Sequence, residues 1–220
     1  MNDYSDHIAI IGAGISGLAL GCILQEARIP VVIFEKSNEV SNYGAGISIS
    51  PNGIKILKNL KIYKDVYEQS SNPKKAVYFS NKIKINSFDV DVITTSRKVL
   101  YKVLLKKYTS YGGEILFDHK LSNLCINNSE VHFLNNATYK VKHIAACDGI
   151  NSLCRNQVLS SGDPIYSGYS VWRSIVDKTQ DNIETSLGPN YHIVTYPISS
   201  SKVSFVAAIK TSKEYIESWK

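Results

Sequence analysis

Long apolar runs are missing from this 220-residue sequence. None approaches the roughly 18 residues that a membrane-spanning helix needs, so no span is expected. No secretory leader is expected either. Met1-Asn2-Asp3-Tyr4-Ser5-Asp6 carries two acids and runs into a strand-like segment, without the basic stretch and cleavage site of a signal peptide. A cytoplasmic location is the expectation. Cysteine is sparse: Cys22, Cys125, Cys147 and Cys154 have no CxxC spacing and sit mostly inside apolar runs. That pattern suits reduced core thiols and predicts neither a metal site nor a disulfide framework. Arginine occurs only at Arg28, Arg97, Arg155 and Arg173, against a lysine background. Where lysine supplies the ordinary surface charge, each arginine needs its own explanation, because only its planar fork grips phosphate or carboxylate with two parallel hydrogen bonds. The net charge is +6, but the lysines are scattered and no basic cluster is interleaved with aromatics. Nucleic acid is therefore not an expected partner.

What is present is ordinary for a globular protein, at 44% hydrophobic and 20% charged residues. The length allows a sizeable core, as one domain or as one domain plus part of another. His7 to Gly12 has the pattern of a buried parallel strand, and Ile15 to Arg28 that of a helix with Leu18, Cys22 and Leu24 on its packing side. Pro30 breaks the helix, and Val31 to Phe34 forms a second apolar run ending in Glu35. A strand, helix, strand unit of this kind predicts the α/β class, with a Rossmann-like domain around a mainly parallel sheet.

Ser50-Pro51-Asn52 predicts a helix over 51–60, and residues 76–93 alternate like a hairpin. Arg97 to Tyr111 has helical spacing and is stopped by Gly112-Gly113. Short strand-like pieces fill Glu114 to Cys147. Longer ones follow at Tyr169 to Val176, His192 to Ile198 and Lys202 to Ile209. The expected division is a first domain over 1–159, with 76–93 as an excursion from it, and a β-rich domain over 160–220.

Gly12-Ala13-Gly14-Ile15-Ser16-Gly17 is G-x-G-x-x-G set between a strand and a helix. The first glycine makes the tight turn, the second lets backbone approach a pyrophosphate, and the third lets helix pack on strand. The phosphates then meet free N–H groups at the helix N-terminus. Glu35, with Lys36 after it, lies at the end of the second strand, where a carboxylate can accept both ribose hydroxyls. An acid there disfavours a 2′-phosphate, which argues against NADP in this site. The fingerprint by itself leaves FAD and NAD open.

Three further segments, with the fingerprint, resemble the flavin-dependent aromatic hydroxylases, the family of salicylate and hydroxybenzoate hydroxylases. Gly44-Ala45-Gly46-Ile47-Ser48-Ile49-Ser50-Pro51-Asn52-Gly53 is similar to that family's glycine-rich loop and Pro-Asn helix start, implying that Gly46 and Ile47 run beside a flavin. Ser96-Arg97 with Leu100 and Leu104 is similar to its Arg-x-x-Leu helix opening, which implies that Arg97 reaches the cofactor. Ala145 to Arg155, containing Asp148-Gly149 and Ser152, resembles the ADGxxSxxR motif, implicated in FAD and NAD(P)H binding. In the second region, Ser167-Gly168-Tyr169-Ser170-Val171-Trp172-Arg173 is similar to a GYxxWR strand and His192 to Pro197 to an HxxxYP strand. In the salicylate and hydroxybenzoate hydroxylase subset that histidine and tyrosine touch the phenol, which implies catalytic roles for His192 and Tyr196. A phenol attacks electrophilic oxygen far better as phenolate, so a base with a pKa near neutrality is useful there. Arg155, Tyr169, Trp172 and Arg173 are candidates for substrate or NAD(P)H contact.

The resemblance therefore implies FAD as cofactor, NADH or NADPH as co-substrate, and O2-dependent hydroxylation of a small phenolic acid. Two other readings stay open: a flavin-binding remnant or regulatory protein without turnover, and an NAD-dependent Rossmann dehydrogenase. The resemblance covers nearly all of the chain but about half of the family's fold, ending near Glu217-Ser218-Trp219-Lys220. No match is found to the family's later Gly-Asp cofactor motif, and Gly162-Asp163-Pro164 has the pattern of a turn. A truncated chain is expected to bind FAD weakly and to self-associate through surface that the absent part would cover.

Overall fold

A computed structural model describes residues 4–38 and 45–212. Gly44 of the glycine-rich loop, the first three residues of the N-terminus and the Glu217 to Lys220 end lie outside the described residues. In chain order the elements begin with β1 (Tyr4–Ile11), α1 (Ile15–Glu26), β2 (Val31–Phe34), β3 (Gly46–Ile49), α2 (Pro51–Asn59) and α3 (Tyr63–Tyr67). They continue with β4 (Lys75–Ser80), β5 (Ile83–Asp89), β6 (Ile93–Ser96), α4 (Arg97–Ser110), β7 (Glu114–Leu116), β8 (Leu121–Cys125) and β9 (Glu130–Phe133). The last are β10 (Thr138–Ala146), α5 (Leu153–Leu159), β11 (Tyr169–Asp177), β12 (Ile183–Gly188), β13 (Tyr191–Pro197) and β14 (Lys202–Lys210). The α/β class expected from the sequence is the class observed.

Contacts divide the chain into two compact units. One comprises Met1–Ser41 and Tyr101–Ile165, the other Asn42–Leu100 and Tyr166–Lys220. The first holds a six-stranded sheet in the order β7-β2-β1-β10-β9-β8. Its first four strands are mutually parallel, and β9 and β8 complete it antiparallel. The chain leaves β1 through α1 to β2 on one side, whereas β10 lies on the other, so the strand order reverses between β1 and β10. In open α/β sheets the crevice outside the carboxyl ends of the strands at such a switch point is where ligands bind.

Alternation along β1 sorts its side chains between two cores. Ala9 and Ile11 join Val32, Phe34, Val131 and Phe133 on one side. On the other, α1 buries Gly17, Leu18, Gly21 and Cys22. Gly21 lies so close to the fully buried Tyr108 that a Cβ there would stand 2.8 Å from its ring and 3.1 Å from Ile33. The Tyr108 hydroxyl donates to the Glu114 carbonyl at 3.0 Å. Burial pushes the Cys22 thiol up to about 11 and the Cys154 thiol up to about 12, so both are neutral core groups at pH 7. All four cysteines are free. Helix α1 stops two residues before Arg28, the expected end. Arg28 takes a left-handed φ of 58°, its N–H donates to Gln25 O, and the Ile29 N–H donates to Leu24 O. These are the bonds of a Schellman cap, built without the usual glycine.

The second unit holds a sheet in the order β11-β14-β13-β12-β4-β5, antiparallel except where β12 runs parallel to β4. The pairing of β12 with β4 changes the expected division of the chain. The hairpin predicted over 76–93 forms as β4 and β5, but it is hydrogen-bonded into this second sheet and is no excursion from the first unit. Partners some hundred residues apart leave no mark on local periodicity. A separate two-stranded sheet joins β3 to β6.

The packing of Gly21 on Tyr108 generates a test. Gly21→Val should cost about 1–3 kcal/mol of stability, as overpacking does, while the exposed Lys106→Ala should stay within about 0.5 kcal/mol. Urea denaturation midpoints of the two variants and the parent check this. A Gly21→Val midpoint equal to the parent's would show that helix and ring are not in contact.

Candidate functional site

Three neighbouring loops at the carboxyl ends of β2, β1 and β10 build the first part of the site. Gly12 follows β1 with φ of 105°, a value that L side chains rarely adopt. Its N–H donates to Phe34 O on β2, and the Cys147 N–H after β10 donates to Ile11 O. A Cβ on Gly12 would stand 2.5 Å from the Cys147 carbonyl oxygen, and one on Gly17 would stand 1.9 Å from Gly12 O. A Cβ on Gly14 would meet nothing within 4 Å. Gly12 thus makes a turn, Gly17 lets helix meet turn, and the space at Gly14 is open. Gly14 is the N-cap of α1, with no side chain to close that end. By the geometry of any α-helix, the N–H groups of Ile15, Ser16 and Gly17 in its first turn have no acceptor inside the helix. A pyrophosphate fits this opening, because it needs room, N–H donors and the positive end of a helix dipole.

Glu35 is planted in the same place. Its Oε2 accepts the Ala13 N–H at 2.7 Å and its Oε1 the Ser37 N–H at 2.9 Å. Each carboxylate oxygen keeps a further lone-pair direction for a ribose hydroxyl. Lys36, beside it, is exposed.

Asp148 is bonded within its own loop. Its Oδ1 accepts from Ser152 Oγ at 2.6 Å and its Oδ2 from the Cys154 N–H at 3.1 Å. Burial opposes the charged form, yet these bonds outweigh it and hold the carboxyl below the usual range. Ser152 in turn caps α5 by accepting the Arg155 N–H. The Arg155 guanidinium donates to Ile150 O and to Ser161 Oγ. Asp148, Ser152 and Arg155 therefore close their own loop, and it is the backbone of Cys147 and Asp148 that faces the glycine turn. Gly149 follows with φ of 83°.

In the second unit, pairing brings two separate motifs together. Gly46 and Ile47 on β3 lie opposite Ser96 and Thr95 on β6, and the Arg97 N–H donates to Ala45 O at 2.9 Å. Ser96 Oγ accepts the Val99 N–H and caps α4. Tyr196 and Ser204 are also here. A Cβ on Gly46 would stand 2.7 Å from the Tyr196 ring and 2.5 Å from Ser204 Cβ.

Register sorts the remaining candidates by face. His192 lies opposite Ala208, which lies opposite Val171; Val194 opposite Val206, then Arg173; Tyr196 opposite Ser204, then Ile175. Residues directly opposite in a sheet share a face, and so do residues two apart on one strand. His192, Tyr196, Arg173 and Tyr169 therefore stand on one face, and Trp172, opposite Ala207, on the other. The structure does not bring Trp172 to the rest. Ser204 was not singled out from the sequence: a serine within a strand carries no local signal of the loop that packs on it.

Residues 6–214 match the family model described as FAD binding domain. The chain is 24% identical over 240 residues to a 3-amino-4-hydroxybenzoate 2-monooxygenase of Streptomyces cremeus, covering 97% of this chain and 59% of that protein. It is 25% identical to a 6-hydroxynicotinate 3-monooxygenase of Pseudomonas fluorescens, covering 78% and 48%. Among solved structures, the tetrameric form of 2-methyl-3-hydroxypyridine-5-carboxylic acid oxygenase superposes with TM-score 0.84 at 18% identity, covering 95% of this chain and 60% of that one. Klebsiella pneumoniae HpxO complexed with FAD and uric acid gives TM-score 0.83 at 21% identity, covering 96% and 58%. The chain thus spans roughly half to three fifths of the length of these relatives. With the match extending over nearly all of its residues, the chain belongs to the FAD-binding domain family.

Proposed function

We propose that this is an FAD-dependent monooxygenase that uses NADH or NADPH and O2 to hydroxylate a small aromatic, phenolic acid-like substrate. The observation that carries it is the shared face in the second unit. Ala208 and Val206 of β14 form a floor of small side chains, flanked by His192 and Tyr196 on β13 and by Tyr169 and Arg173 on β11. The flanking strands are about 9–10 Å apart, from twice the usual strand spacing, which leaves room for one planar ring above the floor.

Within the first unit, Gly12, Ala13, Gly14, Ile15, Ser16 and Gly17 would receive the pyrophosphate on backbone N–H groups, and Glu35 the ribose, with Lys36, Asp148 and Gly149 bordering them. Within the second, Gly46, Ile47 and Arg97 are proposed to border the flavin ring, by the resemblance of their motifs. When bound, FAD supplies the two-electron chemistry that carries a hydride from NAD(P)H to dioxygen, one oxygen atom entering the ring and the other leaving as water. His192 is proposed as the base that takes the phenol proton, Tyr196 as a wall of the pocket, and Arg173 as the fork for the substrate carboxylate. Arg155 remains a candidate for NAD(P)H. His192 and Tyr196 are about 13 Å apart along the strand, four residues at the usual rise, so they serve opposite ends of a substrate. The match to an FAD-binding family does not favour the NAD-dependent dehydrogenase reading. No helix among the described residues is long and apolar enough to cross a membrane.

Self-association belongs to the same proposal. Among the described residues strand β11 stands at the end of its sheet with Val171, Ile175 and Val176 exposed along it, and an apolar strand at a sheet edge is a template for pairing.

Three outcomes test this reading. Glu35→Ala should weaken FAD binding about 10- to 100-fold, the value of a lost charge-assisted hydrogen bond, and Gly14→Val at least as much by filling the pyrophosphate's place. Fluorescence titration with FAD measures both, and parental affinity in both variants would place the cofactor elsewhere. In a form of the protein long enough to be active, His192→Ala should lower hydroxylation about 100-fold or more, as loss of a general base does, while leaving flavin reduction by NADH near the parental rate. Equal losses in stopped-flow reduction and in product formation would remove His192 from the chemistry. Sedimentation should show the chain associating at micromolar concentration and Val171→Lys shifting it toward monomer, whereas a monomeric parent would refute the edge-pairing proposal.

A further inference from the structure

The two-stranded sheet of β3 and β6 leaves one backbone donor without a strand to receive it. Arg97 N–H donates to Ala45 O, so residues 45 and 97 occupy a hydrogen-bonded position of the antiparallel pair. The next pair, Gly46 with Ser96, is then a non-hydrogen-bonded one, in which the N–H and C=O groups point away from the partner strand. Gly46 N–H must find its acceptor on the outer edge of β3. It finds Ser204 Oγ, at 3.2 Å, on a side chain with no solvent exposure. One hydroxyl on the floor of the second sheet stands where a third strand would otherwise be.

The same contact sets the distance between two parts of the proposed site. A Cβ on Gly46 would stand 2.7 Å from the Tyr196 ring and 2.7 Å from Ser204 Oγ. Glycine at 46 lets β3 settle onto the sheet, and the serine hydroxyl holds it there, beside the tyrosine directly opposite Ser204 in the ladder. A side chain at 46 would fill this contact, and loss of the hydroxyl at 204 would remove the bond that holds it.

We infer that Ser204 is a positioning residue: through its bond to Gly46 it fixes the backbone proposed to border the flavin ring against the Tyr196 strand proposed to border the substrate. The inference rests on the FAD monooxygenase reading. Ser204 itself touches neither substrate nor cofactor in this assignment. Its effect passes through Gly46.

The test uses the full chain with two independent readouts. Hydrogen exchange at the Gly46 amide needs no flavin. In Ser204→Ala it should accelerate about tenfold or more, since a buried N–H loses its acceptor, whereas Ser204→Thr, which keeps the hydroxyl, should stay near the parent. The second readout is the visible absorption of bound FAD. Ser204→Ala should move it toward the spectrum of free FAD, while the FAD dissociation constant stays within about twofold, because the glycine fingerprint and Glu35 are untouched. Unchanged Gly46 exchange in Ser204→Ala would overturn the latch. Faster exchange with an unchanged flavin spectrum would reduce Ser204 to a structural bond and overturn its positioning role. A parent chain that exchanges slowly at Gly46 but binds no FAD would sink the cofactor reading and the positioning role with it, leaving the hydrogen bond intact.

Discussion

Gly12 and the carbonyl of Cys147 approach so closely that no side chain fits between them, and the first unit is arranged around that approach. A 2.5 Å separation from an ideal Cβ position means that backbone meets backbone where the loops after β1 and β10 leave the sheet. The positive φ of Gly12 turns the chain into α1, and Gly17 lets the helix return across the turn with its own backbone against Gly12 O. From this follow the direction of the helix axis, the opening at Gly14, and the reach of Glu35 to Ala13 N–H. A single carboxylate then ties the end of β2 to the glycine turn, so that the acid and the helix N-terminus present themselves to the same side.

The second unit uses the same device for a different purpose. Gly46 lacks a Cβ where Tyr196 and Ser204 crowd it, and its N–H is received by a buried hydroxyl. Thr94 repeats the pattern close by, donating its Oγ1 to the Pro197 carbonyl. In a buried place an unpaired donor or acceptor costs about 1–3 kcal/mol. The β3 and β6 strands are thus held on the larger sheet by polar groups that have no alternative partner in water. The floor of small residues on β14 has the opposite character. Ala208 and Val206 carry no polar group, and His192, Tyr169 and Arg173 stand along the strands on either side.

The loop after β10 shows how one motif can combine two tasks. Asp148 resembles a cofactor contact in sequence, yet both of its oxygens are engaged by Ser152 and Cys154. Arg155 is likewise engaged by Ile150 and Ser161. A loop that must present backbone to a neighbouring turn needs internal bonds to hold its shape, and these side chains supply them.

Local chemistry alone determined the α/β class, the glycine turn, the acid at the end of the second strand, and the helices beginning at Pro51 and Arg97. Each depends on residues a few positions apart, through φ preference, capping and helical or strand period. The approximate positions of β11, β13 and β14 were legible for the same reason. Tertiary structure alone decided what distant residues share. It paired β12 with β4 and so moved the 75–89 hairpin into the second sheet. Register across β11, β14 and β13 put Arg173 and Tyr169 on the face of His192 and Tyr196 and turned Trp172 away. Ser204 was chosen as the acceptor for Gly46, 158 residues earlier in the chain. A strand shows in sequence that its side chains alternate, but which of its two faces meets which neighbour is settled only when the hydrogen-bonded ladder forms, and a slip of one residue would reverse every assignment.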